Sequence, residues 1–226
     1  MDSYFFSRIF PHFGGATLKG IITVDGPSAS GKSSVGRELA RALGVPFVSS
    51  GILYRAVGYL AQKAGLDLQD PLAIASLIAS DPLELQPGDS NQVWHRDQNL
   101  TPFLHTHEID AAASQVARHP EVRAYVNSKL QSLPPPFVVE GRDMGREVFP
   151  QAEFKFYLTA PVAIRANRRA KERQLNQEQI ESALAARDQN DQSQSLPASN
   201  AHIVDTSNLS LDQVVENLLA QIRTQG

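Results

Sequence analysis

The sequence predicts an α/β protein whose core is a five-stranded parallel sheet flanked by helices. Three continuous apolar runs, residues 136–140, 154–159 and 201–206, are typical of strands that are covered on both faces. Two further runs, residues 20–25 and 46–49, are short and apolar, and helical patterns separate the runs. Strands that alternate with helices in this way indicate an open α/β sheet.

The helices are predicted from apolar spacing and from their stop signals. Residues 31–43 carry apolar side chains on one helical face and are followed by Gly44, which predicts the end of the first helix. Residues 51–64 repeat this pattern, and residues 211–223 predict the last helix. A chain of 226 residues can bury a substantial core, so we expect one domain over residues 20–226.

Two regions interrupt the alternation of strands and helices. Residues 83–102 are polar and rich in turn signals, with Pro87 and Gly88 between two short strand candidates, and predict a small β insertion outside the main sheet. Residues 174–198 are rich in Gln, Asn, Asp and Ser, and predict an exposed, mobile segment that follows a helix.

The composition excludes several function classes. The 21 basic and 24 acidic residues nearly balance, which gives no electrostatic footprint for nucleic acid or for an anionic membrane. Disulfides and thiolate metal sites are excluded because there is no cysteine, and this fits a cytoplasmic location. No apolar run reaches the roughly 20 residues that a membrane helix needs. Residues 1–19 contain five aromatic side chains and predict a poorly ordered extension, with a docking arm as the alternative.

Residues 26–33 read GPSASGKS and match the motif G-x-x-x-x-G-K-[ST] between a predicted strand and a predicted helix. Glycines let the backbone approach a phosphate closely, and successive N–H groups at a helix start form an anion-binding nest. Lys32 can reach the β and γ phosphates, and the Ser33 hydroxyl can bind Mg²⁺. The motif therefore predicts a site for a nucleoside triphosphate.

Polar side chains follow two more predicted strands. Tyr54 and Arg55 lie in SSGILYRA after residues 46–49, and Glu140, Arg142 and Asp143 lie in VVEGRDMG. Because ligands bind at the carboxyl ends of the strands in such sheets, Arg55 is expected near a second phosphate. Glu140 can hold a Mg²⁺-bound water. A guanidinium beside a carboxylate, as in Arg142 and Asp143, suits recognition of a phosphate and of a base edge.

Four arginines of RANRRAKER, Arg165, Arg168, Arg169 and Arg173, share one predicted helical face. The only acidic residue in this stretch, Glu172, lies off that face. Like charges without partners are costly unless an anion arrives, and a triphosphate would supply one. The pattern predicts a lid that closes over the reacting phosphates and excludes water.

These segments together resemble the bacterial cytidylate kinases. The resemblance rests on ITVDGPSASGKSS, SSGILYRA, AASQVARHPEVR, VVEGRDMGREVFP, KFYLTA, RANRRAKER and RDQNDQ, and it covers about residues 20–226. It implies a P-loop kinase fold with a monophosphate-binding region over residues 49–130, which includes the β insertion, and a lid over residues 166–198.

The resemblance also implies an activity, which is phosphoryl transfer from ATP to CMP or dCMP with Mg²⁺, by a monomer. The implied catalytic residues are Lys32, Arg142, Arg169 and Arg187. The implied ATP-binding residues are Gly26, Pro27, Ser28, Ala29, Ser30, Gly31, Lys32, Ser33, Ser34 and Arg165. The implied CMP-binding residues are Ser50, Gly51, Tyr54, Arg55, Ser114, Arg123, Arg142, Asp143, Arg187 and Asp191.

The chain departs from the family pattern at Ser49, where an Asp is usual, and at His105 and Gln194, where arginines are common. Three alternatives remain open at this point. The opening GKSSVGRELARALGVPFV also resembles shikimate kinases, although Ser49-Ser50-Gly51 replaces the Asp-x-Asp element of that family. A kinase for UMP or AMP, or a nucleotide-binding regulator without turnover, would also contain the phosphate-binding motif.

Overall fold

The computed structural model describes residues 19–173, 177–190 and 195–225. The side chains at 172, 173, 177, 187, 190 and 225 are not among the described ones. The predicted N-terminal extension therefore lies outside the described residues, apart from Lys19. The chain divides into two compact units. The second unit consists of Phe47–Pro134 and Val139–Gly141, and the first contains the other described residues.

The predicted five-stranded parallel sheet is confirmed. Its strands, numbered in chain order with the others, are β1 (Ile21–Asp25), β2 (Phe47–Ser49), β6 (Phe137–Glu140), β7 (Phe154–Thr159) and β8 (His202–Asp205). They lie in the order β2-β6-β1-β7-β8, with β1 parallel to β7 and β7 parallel to β8. Asp25 is the register partner of Tyr157, which itself pairs with Ile203. The runs at β6 and β7 form buried strands because both faces of the sheet are covered there. The same prediction is wrong for β8, which lies at the edge of the sheet and exposes 56% of Ile203.

Four helices of the first unit are described: α1 (Lys32–Leu43), α6 (Val162–Arg173), α7 (Gln177–Asn190) and α8 (Leu211–Gln225). Helix α1 buries Val35 and Leu39 and contacts both β1 and α8. It ends at Gly44, whose φ of 69° is a left-handed conformation that glycine adopts without strain.

Within the tract predicted to be an exposed, mobile segment, residues Gln177–Asn190 form helix α7, of 14 residues, and most of its described side chains are exposed. Ile180 and Leu184 are one helical turn apart and are both buried, in a cluster with Ala166 of α6. This apolar pair packs the helix against α6, where tertiary contacts supply most of the stability of a helix.

The second unit contains α2 (Ser50–Lys63), α3 (Pro71–Ser80), α4 (His107–Val116) and α5 (Pro120–Gln131). It also contains a three-stranded antiparallel sheet of β3 (Leu83–Gln86), β4 (Gln92–His95) and β5 (Gln98–Asn99). Helices α2 and α4 approach closely, because Gly58 has no Cβ to meet Ala112. The described helices include none with the length and apolar character needed to cross a membrane.

Candidate active site

The phosphate-binding motif forms a tight loop between β1 and α1. Gly26 has a φ of 148°, and a Cβ on this residue would lie 2.2 Å from the carbonyl oxygen of Leu158. Gly31 has a φ of 95°, and Ala29 also has a positive φ, of 60°. Glycine at position 26 is needed for the close approach to β7, since a side chain there would collide with the Leu158 carbonyl oxygen. The loop ends at the first turn of α1, and the N-terminus of a helix favours an anion because its backbone N–H groups point outward.

Lys32 and Ser33 begin α1 and lie at the mouth of this loop. The Lys32 Nζ donates to the carbonyl oxygen of Pro27, at 2.7 Å, so the ammonium group is held over the loop. Ser33 and Ser34 are exposed, whereas Ser28 and Ser30 are buried. An exposed hydroxyl directly after the lysine is available to a metal ion that arrives with a triphosphate.

Arginines of the RANRRAKER helix, Arg165 and Arg168 among them, have protein partners, which corrects the expectation that this face lacks them. The buried Arg165 donates from Nη1 to the carbonyl oxygen of Ser28, at 2.9 Å, and forms an ion pair with Asp188 of α7. Arg168 donates to the hydroxyl of Thr206, at 3.0 Å. Arg165 therefore contacts the phosphate loop through the Ser28 carbonyl group. Arg169 lies half-buried on the same helix. The side chain of Arg173 lies outside the described residues.

Residues Arg142–Gly145, which we call the RDMG loop, follow β6. Asp143 is buried, and an Arg142 Nη1 lies 3.4 Å from the hydroxyl oxygen of Ser195. The loop continues into a short π-helix, Met144–Val148, that contacts β1. π-Helical turns occur frequently at functional sites.

Asp25 holds this loop, and the sequence reasoning missed it. Its two carboxylate oxygens accept hydrogen bonds from the backbone N–H groups of Met144 and Gly145, each at 2.8 Å. Burial raises the pKa of the Asp25 carboxyl from 3.8 to about 7, against the opposing effect of the two backbone hydrogen bonds. Nearby Asp143 raises this pKa further, and Lys32 lowers it. A signal was present, since Asp25 is the one acidic residue of β1 and directly precedes the phosphate loop.

In the second unit, Arg55 of α2 lies beside a buried carboxylate. Its Nε donates to Oδ1 of Asp110 on α4, at 2.9 Å, and this carboxylate was not predicted from the sequence. Gly51 lies one turn earlier, and a Cβ there would be 3.3 Å from an Arg55 Nη1. Glycine thus leaves room for the guanidinium group.

Glu140 is buried and accepts a hydrogen bond from the hydroxyl of Ser49, at 2.5 Å. The backbone N–H of Ser49 donates to Oδ1 of Asn91, also at 2.5 Å. Ser49, the residue that departs from the family pattern, therefore serves as a hydrogen-bond donor to a carboxylate. An aspartate at this position would instead place a second acceptor against Glu140.

The remaining predicted site residues lie on helices or outside the described residues. Ser50 is buried at the start of α2, and Tyr54 is half-buried on the same helix. Ser114 of α4 and Arg123 of α5 are half-buried. The side chain of Arg187 and the whole of Asp191 lie outside the described residues, as does Gln194.

The residues present fit a magnesium ion that is held mainly by substrate. Within residues 19–173, 177–190 and 195–225, no group of three His, Cys, Asp or Glu side chains could bind a metal. Mg²⁺ in nucleotide-dependent enzymes typically uses one or two protein ligands, with phosphate oxygens and waters completing its shell. The exposed hydroxyl of Ser33 and the carboxylate of Glu140 are oxygen donors of the required kind.

The parallel sheet, the glycine-rich loop and Lys32 at the start of α1 place the chain in the class of P-loop nucleotide-binding proteins. A model of the cytidylate kinase family matches residues 22–224, nearly all of the chain. The chain belongs to the cytidylate kinase family.

Two relatives agree with this assignment, and a solved structure shares the fold. The chain is 52% identical to the cytidylate kinase of Deinococcus deserti over 206 residues, which cover 91% of this chain and 100% of the relative. It is 51% identical to the cytidylate kinase of Thermus thermophilus, with the same two coverages. A gluconokinase structure from Sinorhizobium meliloti has a TM-score of 0.50 at 18% identity, covering 93% of this chain and 95% of its own. That likeness extends to the fold alone.

Proposed function

We propose that the protein transfers the γ-phosphoryl group of ATP to CMP or dCMP, giving ADP and CDP or dCDP. The observation that carries this proposal is membership of the cytidylate kinase family over residues 22–224, a range that includes the phosphate loop and the RDMG loop. The alternative functions left open by the sequence, which are a shikimate kinase, a UMP or AMP kinase and a regulator without turnover, are not favoured.

ATP binds through its phosphates to Gly26–Ser34 in this proposal. The backbone N–H groups at the start of α1 receive the phosphates, and Lys32 leaves or shares its bond to Pro27 when the β and γ phosphates arrive. Arg165 is assigned to this subsite because its guanidinium group contacts the Ser28 carbonyl. Its ion pair with Asp188 means that it acts by holding the loop in shape.

The acceptor nucleotide is assigned to the residues that the family resemblance implies. Arg55 and Arg142 hold the acceptor phosphate, because one guanidinium group can donate two parallel N–H hydrogen bonds to two phosphate oxygens. Ser114, Arg123 and Asp143 recognise the cytosine. The other assigned residues, which complete the acceptor subsite, are Ser50, Gly51, Tyr54, Arg187 and Asp191.

The chemical step needs positioning and charge neutralisation more than proton transfer. An oxygen of the acceptor phosphate attacks the γ phosphorus in line, and the bond between that phosphorus and the β–γ bridging oxygen breaks as ADP leaves. Lys32, Arg142, Arg169 and Arg187 offset the negative charge of the transferring group. A general base is not required, because the acceptor oxygen is already ionised.

Magnesium is expected to accompany ATP. The ion would lie against the hydroxyl of Ser33, and Glu140 remains predicted to hold one of its waters. When bound, Mg²⁺ neutralises phosphate charge and orients the triphosphate. We also propose that the enzyme acts as a monomer in the cytoplasm, where both nucleotides are available, and light scattering on the purified protein would test its oligomeric state.

A coupled assay of ADP release tests the proposed activity. The assay compares CMP, dCMP, UMP, AMP and shikimate as acceptors against an ATP-only background. We expect CMP and dCMP to raise ADP release most. A larger rate with any other acceptor, or no rate above background, would exclude the proposed function.

Replacement of Asp143 by alanine tests the cytosine contact. We expect Asp143→Ala to raise the KM for CMP far more than the KM for ATP, because a charged hydrogen bond contributes roughly 1.5–3 kcal/mol, or about ten- to hundredfold in KM. Steady-state kinetics with each substrate varied in turn measure both constants. Equal effects on the two constants would remove Asp143 from the base-binding site.

A further inference from the structure

Asp25 is a buried acidic residue that the proposed reaction does not use. It is 5% exposed, at the carboxyl end of β1. Each of its oxygens accepts one backbone hydrogen bond, from Met144 and from Gly145, at 2.8 Å. These are the two residues that directly follow Asp143. The carboxylate therefore contacts the RDMG loop where it bends away from the strand.

We propose that Asp25 is a positioning residue, which fixes the RDMG loop so that Arg142 and Asp143 are presented to the acceptor nucleotide. This inference rests on the proposed function, because it takes the loop to bind CMP. The peptide group that joins Asp143 to Met144 is planar and contains the N–H that donates to Asp25. Fixing that plane fixes the position of the Asp143 Cα, which lies in it, and leaves only the ψ angle of Asp143 to set the direction of its side chain.

A second contact presses the same loop against the same strand. Thr23 and Asp25 are two residues apart on β1 and thus lie on one face of the sheet. A Cβ on Gly145 would lie only 2.6 Å from Oγ1 of Thr23, so the backbone of Gly145 packs too closely against this face to leave room for a side chain. The approach brings the Gly145 N–H within reach of Asp25.

The carboxyl group of Asp25 is costly to bury in its ionised form, and its two hydrogen bonds to the RDMG loop offset part of that cost. Burial makes its ionised form costly, and this raises the pKa of Asp25 to about 7. The charged or titratable groups that face it are Asp143, Lys32 and Tyr157. An apolar side chain would fill the same space at less cost but would leave two loop N–H groups without an acceptor.

Variants at Asp25 with a matched control test the proposal. Asp25→Ala removes both acceptors, whereas Asp25→Asn keeps one oxygen to accept a hydrogen bond. Asp205→Asn is the control, because Asp205 also ends a parallel strand and accepts from the N–H of Ser207, but is exposed and far along the chain from the RDMG loop. Each purified protein is assayed for kcat and for the KM of CMP and of ATP.

We expect Asp25→Ala to raise the KM for CMP by about tenfold or more, the factor that one charged hydrogen bond represents, and to change the KM for ATP by less than about threefold. Asp25→Asn should lie between the wild type and Asp25→Ala, and Asp205→Asn should match the wild type. A purely structural role predicts a different result, in which the folded fraction and kcat fall and both KM values stay constant.

Hydrogen exchange gives a readout that does not depend on turnover. The amides of Met144 and Gly145 should exchange faster in both Asp25 variants than in the wild type. Unchanged exchange at these two amides, or a KM for CMP within about twofold of the wild type in a folded Asp25→Ala, would overturn the inference. If Asp25→Ala does not fold, the same criteria apply to Asp25→Asn. A wild type without CMP turnover would instead refute the proposed function, and the exchange data would still decide whether Asp25 holds the loop.

Discussion

Gly145 offers a stringent stability prediction, because its lack of a side chain is what lets the RDMG loop lie against β1. A Cβ built on this residue would lie 2.6 Å from the Oγ1 atom of Thr23 and 3.2 Å from two carbons of Lys155. Carbon atoms in good contact are about 3.5–4.0 Å apart, so Gly145→Ala forces Thr23, the strand or the loop to move. The Nζ of Lys155 is held by the carbonyl oxygen of Pro150, at 2.6 Å, which limits relief on that side.

Overpacking of this kind typically costs roughly 1–3 kcal/mol. The loss of glycine's backbone freedom in the unfolded chain offsets about 0.4–1 kcal/mol of this cost. We therefore expect Gly145→Ala to lower the free energy of unfolding by roughly 1–2 kcal/mol, measured by urea titration followed by circular dichroism.

A second substitution distinguishes this clash from a general effect on the loop. Thr23→Ala removes the Oγ1 atom, which has no hydrogen-bond partner among the described residues, so it should relieve most of the cost of Gly145→Ala. Thr23→Val keeps a group of the same size in place and should give no relief. The reasoning is refuted if Gly145→Ala is as stable as the wild type, or if Thr23→Ala and Thr23→Val combine with it equally.

Two further predictions concern buried charges. The pKa of Asp25 is raised from 3.8 to about 7, so the folded state binds this proton more tightly than the unfolded chain does. The free energy of unfolding should therefore fall as pH rises from 5 to 8, by on the order of 2–3 kcal/mol relative to Asp25→Asn. Urea titrations at the two pH values measure the difference, and a parallel pH dependence in wild type and variant would contradict it. Asp188→Ala leaves the buried Arg165 without its ionic partner and should lower the free energy of unfolding by roughly 2–4 kcal/mol. The control Glu38→Ala breaks a half-exposed pair with Arg41 and should lower it by about 0.5 kcal/mol or less. Equal costs in thermal or urea unfolding would show that the Arg165–Asp188 pair behaves as a surface pair.

The phosphate loop was predictable because its chemistry is local. Gly26 and Lys32 lie six residues apart, and the strand before them and the helix after them could be recognised from apolar spacing alone. The sheet was predictable for a similar reason, because β6 and β7 are continuous apolar runs that suit a doubly covered sheet. Strand β8 shows the limit of this pattern, since it lies at the sheet edge and exposes Ile203.

The interactions that were missed join residues far apart in the chain. Asp25 bonds to the backbone 119 and 120 residues later, so its role cannot be seen in any short stretch of sequence. Asp188 lies 23 residues after Arg165, inside a tract whose composition suggested a mobile segment. Local signs of the helix that carries it were the spacing of Ile180 and Leu184 and the strong helix formers around them.

The most direct test of the central claim is the identity and ratio of the nucleotide products. The protein is incubated with ATP, Mg²⁺ and CMP, and the nucleotides are separated by anion-exchange chromatography. We expect ADP and CDP to accumulate in equal amounts, and neither to accumulate with Lys32→Ala, which removes a phosphate-binding charge without touching the core. ADP formed without CDP, or CDP formed equally well by Lys32→Ala, would contradict a phosphoryl transfer to CMP at this loop.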